Sequence, residues 1–382
     1  MKKSGFDSEF SGAVETAASS GGQLMPPVMG AAAFIMADYI GSYQEVLTAA
    51  IIPAILFYIA LFIMIDLEAL KKDLKGQSKD ELPNFMEELK KGWLLLMPLV
   101  LLVFLLVGVR YSAQKSAFFS IIFLVVIMLV YPGKKRSVSE ILHLIASSSK
   151  GMVSVALTTG TAGIIVGMLM LTGIGYKLSS LLISLSQGNV MLLLILTMVT
   201  SVILGMGMPT SAAYVLLATL IVPALENLGI AKIAAHFFVF YFGIMANVTP
   251  PVAVAAYTAA GIAKGDAMKT GFVAWRLSLA GFLMPFMFCL NPALLGKGTN
   301  GEIILAIMSA LIGAYGLATA VQRYFKGNLS WPKTIVVLLG SVSTMMPGIK
   351  SDIFGLICLG SIYAIQIIKS KKSYDEGEVN VA

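Results

Sequence analysis

The chain has 382 residues, 58% of them hydrophobic and only 12% charged, with a formal net charge of +7. A soluble domain carries about 25% charged residues, so this composition excludes a cytosolic enzyme, a nucleic-acid module and a disordered chain. The basic excess fits Lys/Arg loops facing an anionic cytoplasmic leaflet, and no nucleic-acid partner is expected.

A bilayer core of about 30 Å requires about 20 apolar residues as helix. The first apolar stretch, 12–40, is interrupted by "GGQLMPP". Spans are predicted at 45–65, 93–109 and 116–132, and 151–172 is apolar but rich in Gly and Thr. The segment 173–187 is amphiphilic, and 190–205 is again a candidate span. Residues 205–225 contain "GMGMPTS" followed by Pro223, and 234–263 contain "NVTPP". The remaining spans are 268–288, 301–321, 334–347 and 353–368. A Pro pair removes two backbone donors and breaks a helix. In lipid such a break is tolerated only where protein buries it or where it lines a wet cavity. The fold class predicted is therefore an all-α polytopic membrane protein with broken helices and a re-entrant hairpin.

The two Pro pairs share their context. Sliding the sequence by 224 positions lays 21–41 on 245–265, with Pro26 on Pro250, Pro27 on Pro251, Gly41 on Gly265 and the carboxamide of Gln23 on that of Asn247. Interrupted helices in corresponding positions of two repeats point to the binding site of a secondary transporter. Positive charge gathers in the loops 66–92, 133–150 and 322–333 and in the C-terminal tail, which places all four, and both termini, in the cytoplasm. That placement holds only if 205–225 is a hairpin with no net crossing and 151–205 crosses once. The same condition makes the two broken helices antiparallel, an inverted repeat. The division expected is 1–65 as the end of a first repeat, 66–92 as a charged cytoplasmic loop with an interfacial helix, 93–290 as a second repeat, 301–368 as extra C-terminal spans and 369–382 as a cytoplasmic tail, disordered from 373.

The breaks carry the candidate ligands. Gly205 and Gly207 permit close approach and unusual backbone angles. Pro209 suits the first turn of a new helix, where Thr210 and Ser211 add hydroxyls. Free N–H groups at that helix start suit an anion. Asn247 and Thr249 offer oxygens beside carbonyls left unpaired by Pro250 and Pro251, and Gly21, Gly22 and Gln23 do the same beside Pro26 and Pro27. Oxygen ligands suit a hard cation, and the lack of a carboxylate favours Na⁺, held by Asn247, Thr249 and Gly205, over a proton relay. Cys289 and Cys358 form no disulfide framework, and His143 and His236 read as isolated helix histidines. No cofactor and no enzymatic constellation is expected.

With these motifs in place, the chain resembles the large membrane subunit of tripartite ATP-independent periplasmic (TRAP) transporters, in the form with fused small and large subunits. The resemblance rests on "FSGAVETAASSGGQLMPPVMGAAAFIMADYIG", "LGMGMPTSAAYVLLATLIVPALENLGI" and "AAHFFVFYFGIMANVTPPVAVAAYTAAGIA". It implies a Na⁺-driven importer of organic acids in the inner membrane, fed by an extracytoplasmic solute-binding protein, with two hairpins and an elevator-like transport domain. It puts Gly21, Gly22, Gln23, Pro26 and Pro27 in one half-site. The other half-site takes Gly205, Gly207, Pro209, Thr210, Ser211, Asn247, Thr249, Pro250 and Pro251. It also implies that a first hairpin, preceding scaffold helices and the small-subunit helices belong upstream, so the expected partners include a missing upstream half of the permease and the small membrane subunit. Two further readings are a dicarboxylate/citrate-type symporter working without a binding protein and a non-transporting membrane remnant.

Overall fold

A computed structural model describes residues 1–74, 76, 84–130 and 137–379. Among them the regular elements are all helical. Six helices are long and apolar enough to cross a membrane, or seven if one bent pair counts as a span.

The first broken unit is α1 (Ser8–Gly22) and α2 (Ala31–Ile40), followed by the long α3 (Tyr43–Lys71). After α4 (Phe85–Val103) and α5 (Ala113–Val130), α6 (Val138–Thr172) ends at Gly173 and turns into α7 (Ile174–Ser186). The bend there is 73°, and Gly173 takes it at φ 67°, a conformation glycine adopts without a Cβ clash. Then come α8 (Val190–Gly205), α9 (Thr210–Leu220) and α10 (Val222–Asn227). The second broken unit is α11 (Lys232–Met245), a 3₁₀ turn (Ala246–Val248) and α12 (Val254–Ala263), followed by α13 (Ala267–Leu277) and α14 (Leu279–Leu290). The chain closes with α15 (Asn300–Gln322), α16 (Trp331–Met345) and α17 (Ile349–Val379).

Shifting the first unit by 224 residues carries the start of α1 onto the start of α11, and that of α3 onto that of α13, with α2 and α12 matching to one residue. The contacts show the two units to be antiparallel. Lys2 Nζ donates to the Ala263 carbonyl at 2.6 Å, and Lys232 Nζ donates to the Tyr39 carbonyl at 2.7 Å. Tyr39 and Ala263 are partners under the same shift. The Asp266 N–H also donates to Glu9 at 3.2 Å. The start of each first half-helix thus meets the end of the other unit's second half-helix, as an inverted repeat requires. α11 lies at the centre, with every residue from Ile233 to Met245 buried. A helix apolar all round belongs in such a place.

Several expectations are corrected. The hairpin expected at 205–225 is longer, running from Val190 to Asn227, because α8 packs against α9 as its first arm. Sixteen residues rise only about 24 Å, less than the ~30 Å of a bilayer core, and hydropathy does not separate such an arm from a short span. The backbone expected to be disordered from 373 continues as α17 to Val379, since helix-compatible Lys and Glu follow the apolar run. Of the loop 66–92 expected to hold an interfacial helix, α3 takes the start to Lys71 and α4 the end from Phe85, while 75 and 77–83 lie outside the described residues.

Candidate substrate and ion site at the broken helices

Both breaks have the same backbone plan. α1 closes with the Leu24 and Met25 N–H groups on the carbonyls of Gly21 and Gly22. The Pro26–Pro27 bond is cis, as is Pro250–Pro251. Three residues after the first Pro of each pair the chain passes through positive φ, at Met29 (57°) and Ala253 (30°). The Met29 N–H donates to the Met25 carbonyl at 3.2 Å, and the Ala253 N–H to the Thr249 carbonyl at 3.0 Å. The carbonyl of the second Pro accepts a tyrosine hydroxyl each time, from Tyr43 to Pro27 at 2.8 Å and from Tyr257 to Pro251 at 2.5 Å. A carbonyl without an intrahelical donor takes another partner, and the tyrosines supply it.

The surroundings differ. At the second break the hairpin tip is seated against α11. Gly205 approaches so closely that a Cβ there would stand 3.0 Å from the Ala246 Cβ. Gly207 turns the chain at φ 74°. Pro209 occupies the N-cap of α9, one residue earlier than the expected first turn. Thr210 opens the helix and Ser211 is buried behind it. Asn247 Nδ2 donates at 3.4 Å to Thr210 Oγ1 and at 3.4 Å to the Gly243 carbonyl, which turns its amide oxygen elsewhere. Thr249 Oγ1 donates to the Met245 carbonyl at 2.7 Å and keeps its lone pairs. Gly205, Thr210 and Asn247 are therefore brought together. The tip, one residue from the end of α8, reaches α11 where that helix breaks, midway along the unit 232–263.

At the first break Gly21 and Gly22 face Phe57 and Tyr58 of α3. A Cβ on Gly21 would fall 2.3 Å from the Phe57 ring, and the Gln23 side chain lies under Gly30. Met25, Pro26 and Pro27 face an open apolar groove of about 680 Å³, whose far wall includes Ile55, Leu99 and Val103.

His236 is not isolated as expected. Its Nδ1 is 2.7 Å from the Tyr214 hydroxyl, both residues are buried, and the Tyr39 ring lies 5.2 Å from the imidazole. Tyr214 is one turn beyond Thr210 on α9, and His236 is three turns before Asn247 on α11. The pair is a second polar tie between the same two helices, and Tyr39 extends it to the first unit. The spacings Thr210–Tyr214 and His236–Asn247 were available in the sequence, but only the packing of α9 on α11 joins them. Among the described residues no group of three or more His, Cys, Asp or Glu is placed to hold a metal.

A search of curated proteins returned no matching relative. The family model described as "Tripartite ATP-independent periplasmic transporter, DctM component" matches residues 1–303, which takes in both broken units and the hairpin and ends within the first turn of α15. The match and the packing agree on the same elements: this chain is a multi-pass membrane protein that belongs to the DctM component family of tripartite ATP-independent periplasmic transporters.

Proposed function

We propose that the chain is the permease component of a Na⁺-coupled importer that moves small organic acids across the inner membrane. The observation that supports this reading is the hairpin tip on the second break, where the Thr210 hydroxyl and the Asn247 amide meet at 3.4 Å two residues before Thr249 and the Pro250–Pro251 break. Such a cluster suits Na⁺. The start of α9 at Thr210 turns unpaired N–H groups and a positive dipole end toward the same place, which suits a carboxylate. Gly21, Gly22, Gln23, Pro26 and Pro27 form the matching half-site of the first unit. A solute-binding protein on the extracytoplasmic side delivers and selects the acid, and a small membrane subunit completes the complex. The positive loops keep both termini in the cytoplasm.

The test is uptake into proteoliposomes holding the chain with these partners, with and without a Na⁺ gradient and with and without the binding protein. Uptake of a radiolabelled carboxylate should need both. Uptake independent of Na⁺, or confined to neutral sugars, overturns the reading, and uptake without binding protein replaces it with a self-sufficient symporter.

A further inference from the structure

Two polar ties join α9 to α11, and they differ in strength. At the tip, Asn247 Nδ2 reaches Thr210 Oγ1 at 3.4 Å. One turn on, the Tyr214 hydroxyl lies 2.7 Å from His236 Nδ1. Thr210 and Tyr214 are four residues apart and so share one face of α9. Gly243 sits between the ties, where an added Cβ would stand 3.8 Å from the Ala213 Cβ and 4.0 Å from the Tyr214 nitrogen. Going from Thr210 to the Tyr214 hydroxyl, the partners on α11 fall from Asn247 through Gly243 to His236, so the two helices are antiparallel in one register.

The distances say which tie sets that register. N–H···O bonds lie at about 2.7–3.2 Å, so the tip contact is too long to hold the helices by itself. The contacts at Gly243 are small and apolar, and such faces allow one helix to slip on another. A buried hydroxyl and imidazole do not, because a slip leaves both without a partner in an apolar core. Tyr214 is fully buried and His236 nearly so. The Tyr214 ring is boxed edge-on by Phe240 of α11 at 6.0 Å and by Tyr39 of α2 at 6.2 Å. Tyr39 also lies 5.2 Å from the imidazole, and its carbonyl accepts from Lys232 Nζ at the start of α11. We propose, on the reading of the second break as an ion and carboxylate site, that Tyr214 and His236 are its positioning residues. Their bond fixes the register of α9 on α11 that brings Thr210 to Asn247, and Tyr39 ties that register to the first unit. Both act through α9 rather than by touching the ligand.

Hydrogen exchange and ²²Na⁺ binding, both on the full chain in nanodiscs, are the test. Tyr214→Phe keeps the ring and removes the hydroxyl, His236→Leu removes the imidazole, and His236→Asn keeps a polar atom near the place of Nδ1. The amides of Met206, Met208 and Ala213 close the turn at the tip. In Tyr214→Phe and His236→Leu they should exchange about five- to tenfold faster, as loss of one buried hydrogen bond supplies, while amides of α3 and α13 keep their rates. The ²²Na⁺ affinity should fall by the same factor. His236→Asn should return both readouts to within about twofold of wild type, and adding Tyr214→Phe to His236→Leu should change nothing further, since the bond is already gone. Exchange unchanged at the tip, exchange raised equally in α3 and α13, or no rescue by His236→Asn overturns the positioning role. A wild-type chain that binds no ²²Na⁺ overturns the reading of the site instead, and exchange at the tip still decides whether the Tyr214–His236 bond sets the register.

Discussion

The two breaks share a backbone and differ in what covers them. Each has a cis Pro–Pro bond, a positive-φ residue three positions beyond its first proline and a tyrosine on its second proline carbonyl. Yet the second is capped by a polar hairpin tip, with Thr210 on Asn247, while the first looks onto an apolar groove beside α3 and α4. Proline chemistry alone therefore makes a broken helix. A ligand site needs a second element to bring its own helix terminus and hydroxyls to the break. Gly205 makes that possible, because any side chain there would press on Ala246.

The largest expected effect separates the breaks on this basis. Binding of ²²Na⁺ to the purified chain should weaken about 5- to 150-fold in Asn247→Ala, the loss of one oxygen ligand or hydrogen bond to a charge. Thr249→Val should fall in the same range. Gln23→Ala, at the break with no hairpin tip against it among the described residues, should leave the affinity within about twofold in this chain. Equal losses at Gln23 and Asn247 would break the comparison, since the breaks would then bind alike whatever covers them. A purely packing role for Asn247 would show as poor yield with unchanged Na⁺ affinity in the protein that survives.

Next in size is a contrast in packing between glycines of the two half-sites. A Cβ on Gly21 would stand 2.3 Å from a ring carbon of the fully buried Phe57, whereas on Gly205 it would meet a methyl at 3.0 Å. Overpacking a dense core costs about 1–3 kcal/mol. Gly21→Ala should lower the midpoint of thermal unfolding in detergent clearly more than Gly205→Ala does. Phe57→Leu should recover part of the Gly21→Ala loss, because the clash is with the ring. Gly205→Ala should instead act on Na⁺ affinity by lifting the tip from α11. A midpoint unchanged in Gly21→Ala would show that α3 yields to the first break.

Much of this was legible in the sequence for a plain reason. Proline lacks a donor, so Pro26–Pro27 and Pro250–Pro251 announced their breaks without any tertiary information. The shift of 224 residues and the placement of Lys and Arg then fixed their antiparallel relation, which the contacts of Lys2 and Lys232 bear out. Hydropathy failed where a segment's fate depends on its neighbours. Residues 190–205 have the composition of a span and serve as a hairpin arm, because their C-terminal end is received by α11 below Gly243. The Tyr214–His236 pair was hidden for a related reason. It joins two helices whose packing no periodicity encodes, and a lone histidine in an apolar run carries no mark of its partner.

The smallest effect probes what the breaks have in common. Tyr43 reaches the Pro27 carbonyl from α3, while Tyr257 reaches the Pro251 carbonyl from α12, so the repeats arrive at one solution from different helices. The Tyr43 and Tyr257 positions do not correspond under the shift of 224, which argues that the carbonyl of the second proline, not inherited side-chain position, sets the demand. Side-chain hydrogen bonds inside membrane proteins average about 0.6 kcal/mol, because the partner left behind finds another donor. Tyr43→Phe and Tyr257→Phe should therefore each lower stability by about that much, measured by unfolding in detergent or by steric trapping in bicelles. The two losses should be equal within error, and the double variant should show their sum, since the breaks lie in separate units with no shared partner. A much larger cost at Tyr257 alone would mean that its hydroxyl also serves the ion site, and the second break would then differ from the first in its backbone support as well as in its cover.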